Sequence, residues 1–212
     1  MPRRTQEDSQ ATRRKILESA QRLFTRRGYE RTSLSDIAKY AGVTRGAIYW
    51  HFENKEELLV NLMDFLDKEK FSIDLLHEAA DPDEKDPLSK LKGCIKSMVD
   101  EEGNKFISSS LMSMIISIMA GSTGNEEVRT RVFDFIKSRH DLMNKIFRNC
   151  ISKGQLPSNL AIEAAQEHLA VFCVGFFHQS RLGYTENFKK NFEFFVDREF
   201  EELKTFTTDK IR

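Results

Sequence analysis

Residues 32–55 read TSLSDIAKYAGVTRGAIYWHFENK, and this stretch decides the fold of the N-terminal part of the chain. It opens with Ser33 and Asp36 at the spacing of a capping box, in which two side chains satisfy backbone N–H groups at a helix start. Gly42 interrupts the apolar pattern, and Thr44 is a residue type that caps a second helix. Two short helices joined by a glycine-containing turn are the pattern of a helix-turn-helix.

The apolar side chains of this stretch recur at helical spacing and predict a small core shared by the two helices. We expect them to hold the shape of the unit and not to touch a ligand. This predicted core consists of Leu34, Ile37, Ala38, Val43, Ile48 and Phe52.

Polar and aromatic side chains remain on the second helix once the core positions are removed. Arg45 lies in the first turn, the end that reaches base edges in the major groove, and arginine pairs with guanine through two hydrogen bonds. Gly46 allows a close approach, and Tyr49 can hydrogen-bond a phosphate. Trp50 has two interpretations, a DNA contact or a brace against a neighbouring helix. The predicted DNA-contacting set is Thr32, Thr44, Arg45, Gly46, Tyr49, Trp50, His51 and Lys55, with Thr32 and Lys55 as a backbone clamp.

Charge is distributed unevenly along the chain. The 33 basic and 33 acidic residues give a formal net charge of zero, but residues 1–55 carry twelve basic and six acidic side chains. The N-terminal part is therefore net +6 and the remainder net −6. A basic head beside an acidic body fits a protein whose head alone meets a polyanion. A chance block of charge on a solvated helix is the other explanation.

Several classes of protein do not fit the sequence. Cys94, Cys150 and Cys173 are odd in number and far apart, so neither a zinc site, a disulfide framework nor any other cofactor is predicted. The five His lack metal-ligand spacing and no nucleophile elbow occurs, which argues against an enzyme. No signal peptide is predicted, and the longest apolar run is shorter than the ~20 residues that span a membrane. We therefore expect a cytosolic protein with no membrane partner.

Strand patterns are nearly absent, and the four prolines leave long spans for helices. The pattern predicts an all-α fold of about nine helices. A DNA-binding head at residues 1–55 is predicted to precede a ligand-binding and dimerisation body at residues 56–212. The predicted helices cover residues 9–27, 33–42, 44–52, 54–71, 88–101, 104–120, 126–152, 160–182 and 186–206.

Three stretches resemble one family of regulators. GVTRGAIYWHFENKEEL at residues 42–58 closely resembles the DNA-binding domain of TetR-family transcriptional regulators. RRTQEDSQATRRKILESAQRLFTRRG at residues 3–28 is similar to the first helix of the AcrR-like branch of that family. KGQLPSNL at residues 153–160 resembles the segment before the penultimate helix in that branch. The resemblance covers residues 3–60 well and is poor between and beyond these stretches.

The resemblance implies a repressor that binds a palindromic operator in double-stranded DNA as a homodimer. It also implies release of that operator when a hydrophobic or amphipathic small molecule enters the helical body. Members of the AcrR-like branch typically repress multidrug efflux genes, so such an operon is the expected target. An activator, a redox- or metabolite-sensing regulator of another pathway, and a nucleoid or division factor with the same head are the alternatives.

The body is rich in large apolar side chains, since thirteen of the 17 Phe lie at Phe106 or later. Met side chains adapt to irregular apolar sites, although plain helical core explains the same composition. Leu66 lies near the end of the fourth predicted helix, which joins head to body, so we expect a ligand to act there. The predicted ligand-lining set is Leu66, Met98, Met112, Ile116, Ile136, Met143, Cys173 and Phe177.

The last two predicted helices carry apolar stripes that suit a four-helix interface between two copies of the chain. A two-fold dimer of helix-turn-helix units reads a palindrome. The predicted interface set is Ala165, Leu169, Phe172, Phe176, Phe192, Phe195, Val196 and Leu203.

Overall fold

Helices account for most of the described chain. The computed structural model describes residues 6–70, 73–99, 113–116, 118–122, 125–182 and 187–210. Within these residues it has nine α-helices of seven residues or more and no β-strand, which confirms the predicted all-α class. The helices are α1 (Gln6–Arg27), α2 (Leu34–Ala41), α3 (Arg45–His51), α4 (Lys55–Lys70), α5 (Ile73–Ala80), α6 (Pro87–Lys96), α7 (Glu126–Ser152), α8 (Ile162–Leu182) and α9 (Phe188–Glu202).

One helix was not predicted. The helix expected over residues 54–71 ends at Lys70, and α5 begins separately at Ile73. No Gly or Pro stands at this boundary, so the sequence carries no breaker that marks it. Phe71, which we expected to continue the helix, lies outside the described residues.

The remaining helix boundaries lie within about five residues of the predicted ones. α7 has the predicted bounds, whereas α6 ends at Lys96 and not near 101. The start of α8 is displaced by two residues because the Ala161 N–H donates to the Phe206 carbonyl, 2.8 Å away, outside the helix. The helix predicted over 104–120 falls mostly outside the described residues, where only 113–116 and the π-helical Ile118–Ser122 are seen.

The chain divides into two compact units. The first contains Met1–Leu66 and Ser110–Phe135, and the second contains Asp67–Ser109 and Ile136–Arg212. The division falls inside α4 and α7, so both helices continue from one unit into the other along the chain. The boundary proposed at residue 55 from the sequence differs from this division and stays a prediction for the functional domains.

The core of the first unit is built from the residues that helical spacing selected. Ile37, Ile48 and Phe52 are almost fully buried, together with Ile16 of α1 and Leu58 of α4. Burying each such side chain contributes about 1.5–3 kcal/mol, so this cluster holds the short helices α2 and α3, which are too short to be stable alone.

The predicted capping box starts α2. The Ser33 hydroxyl accepts from the Asp36 N–H at 3.1 Å, and the Asp36 carboxylate accepts from the Ser33 N–H at 3.0 Å. Hydrogen bonds from Ser33 lower the pKa of Asp36 below its ordinary value. The cap therefore contributes at neutral pH and is lost as the pH falls through that lowered pKa.

An aromatic cluster joins α8 and α9 in the second unit. The Phe176 ring centroid lies 5.1 Å from that of Phe192 and 5.8 Å from that of Phe188. The Phe172 ring adds a contact to Phe176 at 4.9 Å. These separations lie within the range where aromatic pairs attract beyond their buried area, so the pairs fix the inner faces of the two helices.

Asn149 links α7 to the end of α5. Its buried Nδ2 donates to the Ala79 carbonyl at 2.9 Å and to the Asp81 carbonyl at 2.6 Å. These carbonyls close a helix C-terminus, where backbone acceptors lack intrahelical partners.

Replacing Asn149 with alanine should destabilise the protein by about 1–3 kcal/mol, because the buried Ala79 carbonyl and the more exposed Asp81 carbonyl lose their donor. The shift of the urea midpoint at fixed protein concentration measures it. Asn144→Ala is the control, since that side chain only accepts from Arg148 on the exposed side of α7. Equal midpoints for the two variants would contradict the assignment of Asn149.

Candidate nucleic-acid interface

The turn between α2 and α3 sets where the second helix begins. Gly42 has φ 62° and ψ 38°, a left-handed conformation that favours glycine. The Val43 N–H donates to the Ala38 carbonyl at 3.0 Å, which closes α2. The Thr44 hydroxyl then accepts from the Ala47 N–H at 3.1 Å and caps α3, as predicted. Arg45 therefore stands at the first position of an exposed helix start.

The outer face of α3 is polar and aromatic. Arg45 and Tyr49 are four residues apart, so they lie on one side of the helix, and both are exposed. Trp50 is 72% exposed, which rules out the interpretation of this side chain as a brace within the chain. Its ring stands edge-on to the half-buried His51 ring, with centroids 4.6 Å apart. A large exposed aromatic on a helix of this kind suits a partner surface.

Gly46 is not required by the packing of the chain. A Cβ at this position would meet only the Thr44 hydroxyl at 4.0 Å, which is an ordinary contact. Glycine inside a helix is destabilising by about 0.5–1 kcal/mol relative to alanine. The packing of the chain therefore gives no reason for glycine at this position.

Thr32 is not on the surface, and the prediction that it forms part of the exposed clamp is wrong. Its side chain is 1% exposed, and its hydroxyl donates to the Gly28 carbonyl at 2.9 Å. Helical spacing could not reveal this burial because Thr32 lies in the turn before α2. It stabilises the loop that follows α1.

Lys55 holds the other side of the same loop. Its Nζ lies 4.1 Å from the centroid of the Tyr29 ring and donates to the Tyr29 carbonyl at 3.2 Å. This contact uses one of three ammonium protons, and two are left for an anion. Lys55 is thus oriented by the protein before any ligand binds.

A shallow open groove of about 460 Å³ connects these side chains. Arg31 is the member that the sequence analysis missed, although a basic residue directly before Thr32 was a usable signal. The groove is lined by Glu30, Arg31, Thr32, Ser33, Leu34, Ser35, Asp36, Tyr49 and Lys55.

Not every cation of the head is available to a partner. The Arg13 guanidinium lies 4.7 Å from the centroid of the Phe52 ring and donates to Asn61 at 2.6 Å. Arg14 pairs with Glu18 at 3.0 Å. Arg13 is therefore held within the packing of α1, whereas Arg14 is exposed and its charge is offset by Glu18.

The predicted ligand-lining residues fall in both units. Leu66 and the half-buried Ile116 belong to the first unit, and Leu66 is buried. In the second unit Phe177 is buried, and Met98, Met143 and Cys173 are half-buried. Ile136 is 37% exposed on α7, and its place in the lining stays a prediction; Met112 lies outside the described residues.

One buried amide on α8 has no hydrogen-bond partner among the described residues. Gln166 is 6% exposed, and neither its Oε1 nor its Nε2 finds such a partner. Helical spacing puts it on the same edge of α8 as Cys173 and Phe177, seven and eleven residues later. A glutamine within a helix is normally a surface residue, so no pattern in the sequence indicated its burial.

Burial also governs the thiols. Burial, with the neighbouring Cys94 thiol and Glu199 as smaller causes, raises the pKa of Cys173 to about 12. Burial likewise raises the pKa of Cys150 to about 12. Since the thiolate is the reactive form, both groups are poor nucleophiles at neutral pH.

Five of the predicted dimer residues already pack inside the single chain. Their side chains are buried within the chain, Phe192 against Phe176 of α8, so their assignment to an interchain surface is wrong. Phe172 and Phe176 are half-buried in the same cluster, and Phe195 is exposed. The five buried residues are Ala165, Leu169, Phe192, Val196 and Leu203.

The outer faces of α8 and α9 carry Phe195, which belongs to the predicted interface set, and three apolar residues that do not. Val171 and Leu182 of α8 are exposed, as are Phe194 and Phe195 of α9. For five residues, helical spacing selected positions that are buried within the chain, and the assignment of the interface to α8 and α9 stays a prediction. Large exposed apolar groups of this kind mark surfaces that meet another molecule.

The described part of the chain contains neither a metal cluster nor a membrane span. No group of three or more His, Cys, Asp or Glu there is arranged to hold a metal ion. No helix among those residues combines the length and apolar character needed to cross a bilayer.

Comparisons with known proteins agree with this geometry. Residues 16–62 match the family model for bacterial regulatory proteins of the tetR family. The chain is 38% identical over 170 residues to the HTH-type transcriptional regulator TtgR of Pseudomonas putida, covering 78% of each chain. It is 33% identical over 169 residues to the HTH-type transcriptional regulator AcrR of Shigella flexneri, covering 78% of this chain and 76% of that one.

Solved structures share the fold. SmeT, described as the repressor of the Stenotrophomonas maltophilia multidrug efflux pump SmeDEF, superposes with a TM-score of 0.68 at 24% identity, covering 92% of this chain and 91% of that one. SmeT in complex with triclosan gives a TM-score of 0.69 at 22% identity, covering 91% of each chain. From the helix-turn-helix geometry, the family match and the relatives along most of its length, this chain belongs to the TetR family of bacterial transcriptional regulators.

Proposed function

We propose that this TetR-family regulator is a dimeric repressor of a multidrug efflux operon, released from its operator by a hydrophobic or amphipathic small molecule. The observation that carries the DNA-binding part is the exposed face of α3, where Arg45, Tyr49 and Trp50 stand free of the core. No catalytic role is assigned, because the family and its relatives are transcriptional regulators. Efflux control is inferred from the similarity to SmeT, the repressor of a multidrug efflux pump.

The proposed DNA-contacting residues fall into two groups, those that reach base edges and those that reach the sugar-phosphate backbone. Arg45, at the start of α3, is assigned to base edges in the major groove, and Gly46 lets the helix approach them. Tyr49, Lys55 and Arg31 border one groove and are assigned to phosphates. Thr44 and His51 flank this surface and are assigned to the backbone, and Trp50 packs along the sugar edge.

Dimerisation is assigned to the outer faces of α8 and α9. Val171, Phe194 and Phe195 are exposed there, and covering them with a second copy removes apolar surface from water. A two-fold dimer carries two recognition helices, so it binds two half-sites of a palindrome.

Ligand response is assigned to the helical body. The inner edge of α8 combines Phe177, Cys173 and the amide of Gln166, an apolar surface with one polar group. Such a composition suits an amphipathic molecule that hydrogen-bonds the amide. Release requires the ligand to bind the DNA-incompetent conformation more tightly, and a hundredfold difference corresponds to about 2.7 kcal/mol.

Other regulatory jobs for the same fold make different demands. A thiol sensor needs a thiolate at neutral pH, and the raised pKa of Cys150 and Cys173 disfavours one. A nucleoid or division factor would occupy many chromosomal sites and respond to no small molecule. An activator would bind the same operator and raise transcription, which a reporter assay distinguishes.

Gly46→Ala should stabilise the protein by about 0.4–1 kcal/mol and still weaken operator binding at least about tenfold, since the added methyl meets DNA and not the protein. Fluorescence anisotropy on the palindrome upstream of the gene, over a salt series, measures it. Gly93→Ala is the control, because a Cβ at that helical glycine also meets nothing within 4 Å. If Gly46→Ala binds the operator as tightly as wild type, α3 does not approach the DNA closely at this residue. If the wild-type protein binds DNA without sequence preference, the proposal of a specific operator is wrong.

Phe194→Glu should convert the dimer to monomer at micromolar concentration and lower operator affinity, because a carboxylate replaces an apolar contact. Sedimentation velocity measures the first effect and anisotropy the second. Phe133→Glu is the matched control, since Phe133 is 56% exposed and Phe194 60%. If the Phe194→Glu variant remains a dimer, the outer face of α9 is not part of the dimer interface.

Gln166→Leu should leave stability unchanged or raise it, since an unsatisfied buried amide is destabilising by about 1–3 kcal/mol. The same change should raise the triclosan concentration needed to release the operator by about tenfold, because the hydrogen bond from the amide to the ligand is lost. Bile salts, dyes and antibiotics extend the set of probes. Gln179→Leu, on the exposed side of α8, is the control. A normal triclosan response in Gln166→Leu contradicts this ligand site.

A further inference from the structure

Two side chains share one carboxylate oxygen in the first unit. Oε1 of Glu56, in the first turn of α4, accepts from the Tyr29 hydroxyl at 3.2 Å. The same Oε1 accepts from Nδ2 of Asn125 at 2.9 Å. Tyr29 follows α1, and Asn125 directly precedes α7, so one atom joins segments that are 69 and 27 residues away from Glu56 along the chain.

One end of this arrangement is the DNA-facing groove. The buried Tyr29 ring lies under the Lys55 ammonium, and the Tyr29 carbonyl accepts from the same ammonium. The position of Tyr29 therefore sets the position of Lys55. Burial, reinforced by the Glu56 carboxylate, holds the pKa of Tyr29 far above its ordinary value, so the hydroxyl stays a donor at any physiological pH.

The other end is the N-terminus of α7. Oδ1 of Asn125 accepts from the Val128 N–H at 3.2 Å, which caps the helix. Asn125 thus uses both ends of its amide, the oxygen for α7 and the nitrogen for Glu56. α7 continues along the chain from the first compact unit into the second. A change in the start of α7 is felt at Glu56 through this single side chain.

We propose that Glu56 and Asn125 are positioning residues for operator binding, which hold Tyr29 and Lys55 in the DNA-competent arrangement and tie that arrangement to the start of α7. This proposal rests on the proposed function, because it takes Lys55 as a phosphate contact. Neither residue needs to touch DNA. When Asn125 moves, Oε1 of Glu56 loses one hydrogen-bond donor. The Glu56 carboxylate then moves toward its remaining hydrogen-bond partners. This movement shifts Tyr29 and, with it, the Lys55 ammonium.

Asn125→Asp separates the two jobs of Asn125. Aspartate caps helices as well as asparagine does, so α7 keeps its cap. The donor to Glu56 is lost, and two carboxylates then face each other. We expect operator affinity to fall about tenfold and the salt dependence to lose about one ion per chain, as expected when one lysine leaves its phosphate. Thermal unfolding should stay within a few degrees of wild type.

Restoring the donor from the other side is the sharpest test. In the double variant Asn125→Asp with Glu56→Gln, the glutamine amide can donate to the new carboxylate and its oxygen can still accept from Tyr29. Affinity and salt slope should return to within about twofold of wild type, a coupling that independent sites would not show. A double variant no better than Asn125→Asp alone overturns the proposal.

Two further variants distinguish a failure of this proposal from a failure of the proposed function on which it rests. Asp86→Ala removes the cap of α6 in the second unit and should lower stability without changing the salt slope. Lys55→Ala should reduce the slope by about one ion per chain and abolish the further effect of Asn125→Asp. A normal slope in Lys55→Ala contradicts the phosphate contact of the proposed function. A reduced slope in Lys55→Ala with a normal one in Asn125→Asp contradicts the positioning role alone.

Discussion

The orientation of α3 depends on one left-handed residue. With φ 62° and ψ 38° at Gly42, the chain turns sharply enough for the next N–H to close α2. A residue with a Cβ would be strained there by about 1–2 kcal/mol. Two residues later Thr44 caps α3, and Arg45 follows at once. The same turn that ends one helix therefore decides that the next one starts with an exposed arginine.

Around this turn, identical residue types have opposite uses. Arg13 stacks on Phe52 inside the head, whereas Arg45 stands in solvent at the start of α3. Tyr29 is buried under Lys55, whereas Tyr49 is exposed beside it. We therefore attribute the attraction of the head to a polyanion to the cations that packing leaves exposed, and its specificity to Arg45, which the turn presents at the start of α3.

The sequence predicted most of what depends on neighbouring residues. The bounds of α7, the capping box of α2 and the cap of α3 are local, because each involves partners within four positions. Helical spacing also found the core of the head. The residues that cover a helix face come from distant parts of the chain, and the wrong predictions concern such faces. Both faces of α8 and α9 carry apolar residues, and only the fold shows which is turned inward.

Three positions remain poorly explained by the isolated chain, and each points outward. Gly46 weakens a helix that has room for alanine, Trp50 exposes a large aromatic ring, and Gln166 buries an amide without a partner in the described part of the chain. Positions that violate local preferences without a compensating contact within the chain are candidates for functional sites. Glu56 is the opposite case, since its shared oxygen is satisfied inside the protein. Its contribution to DNA binding must therefore be geometric, exerted through Tyr29 on Lys55, and sensitive to whatever moves α7.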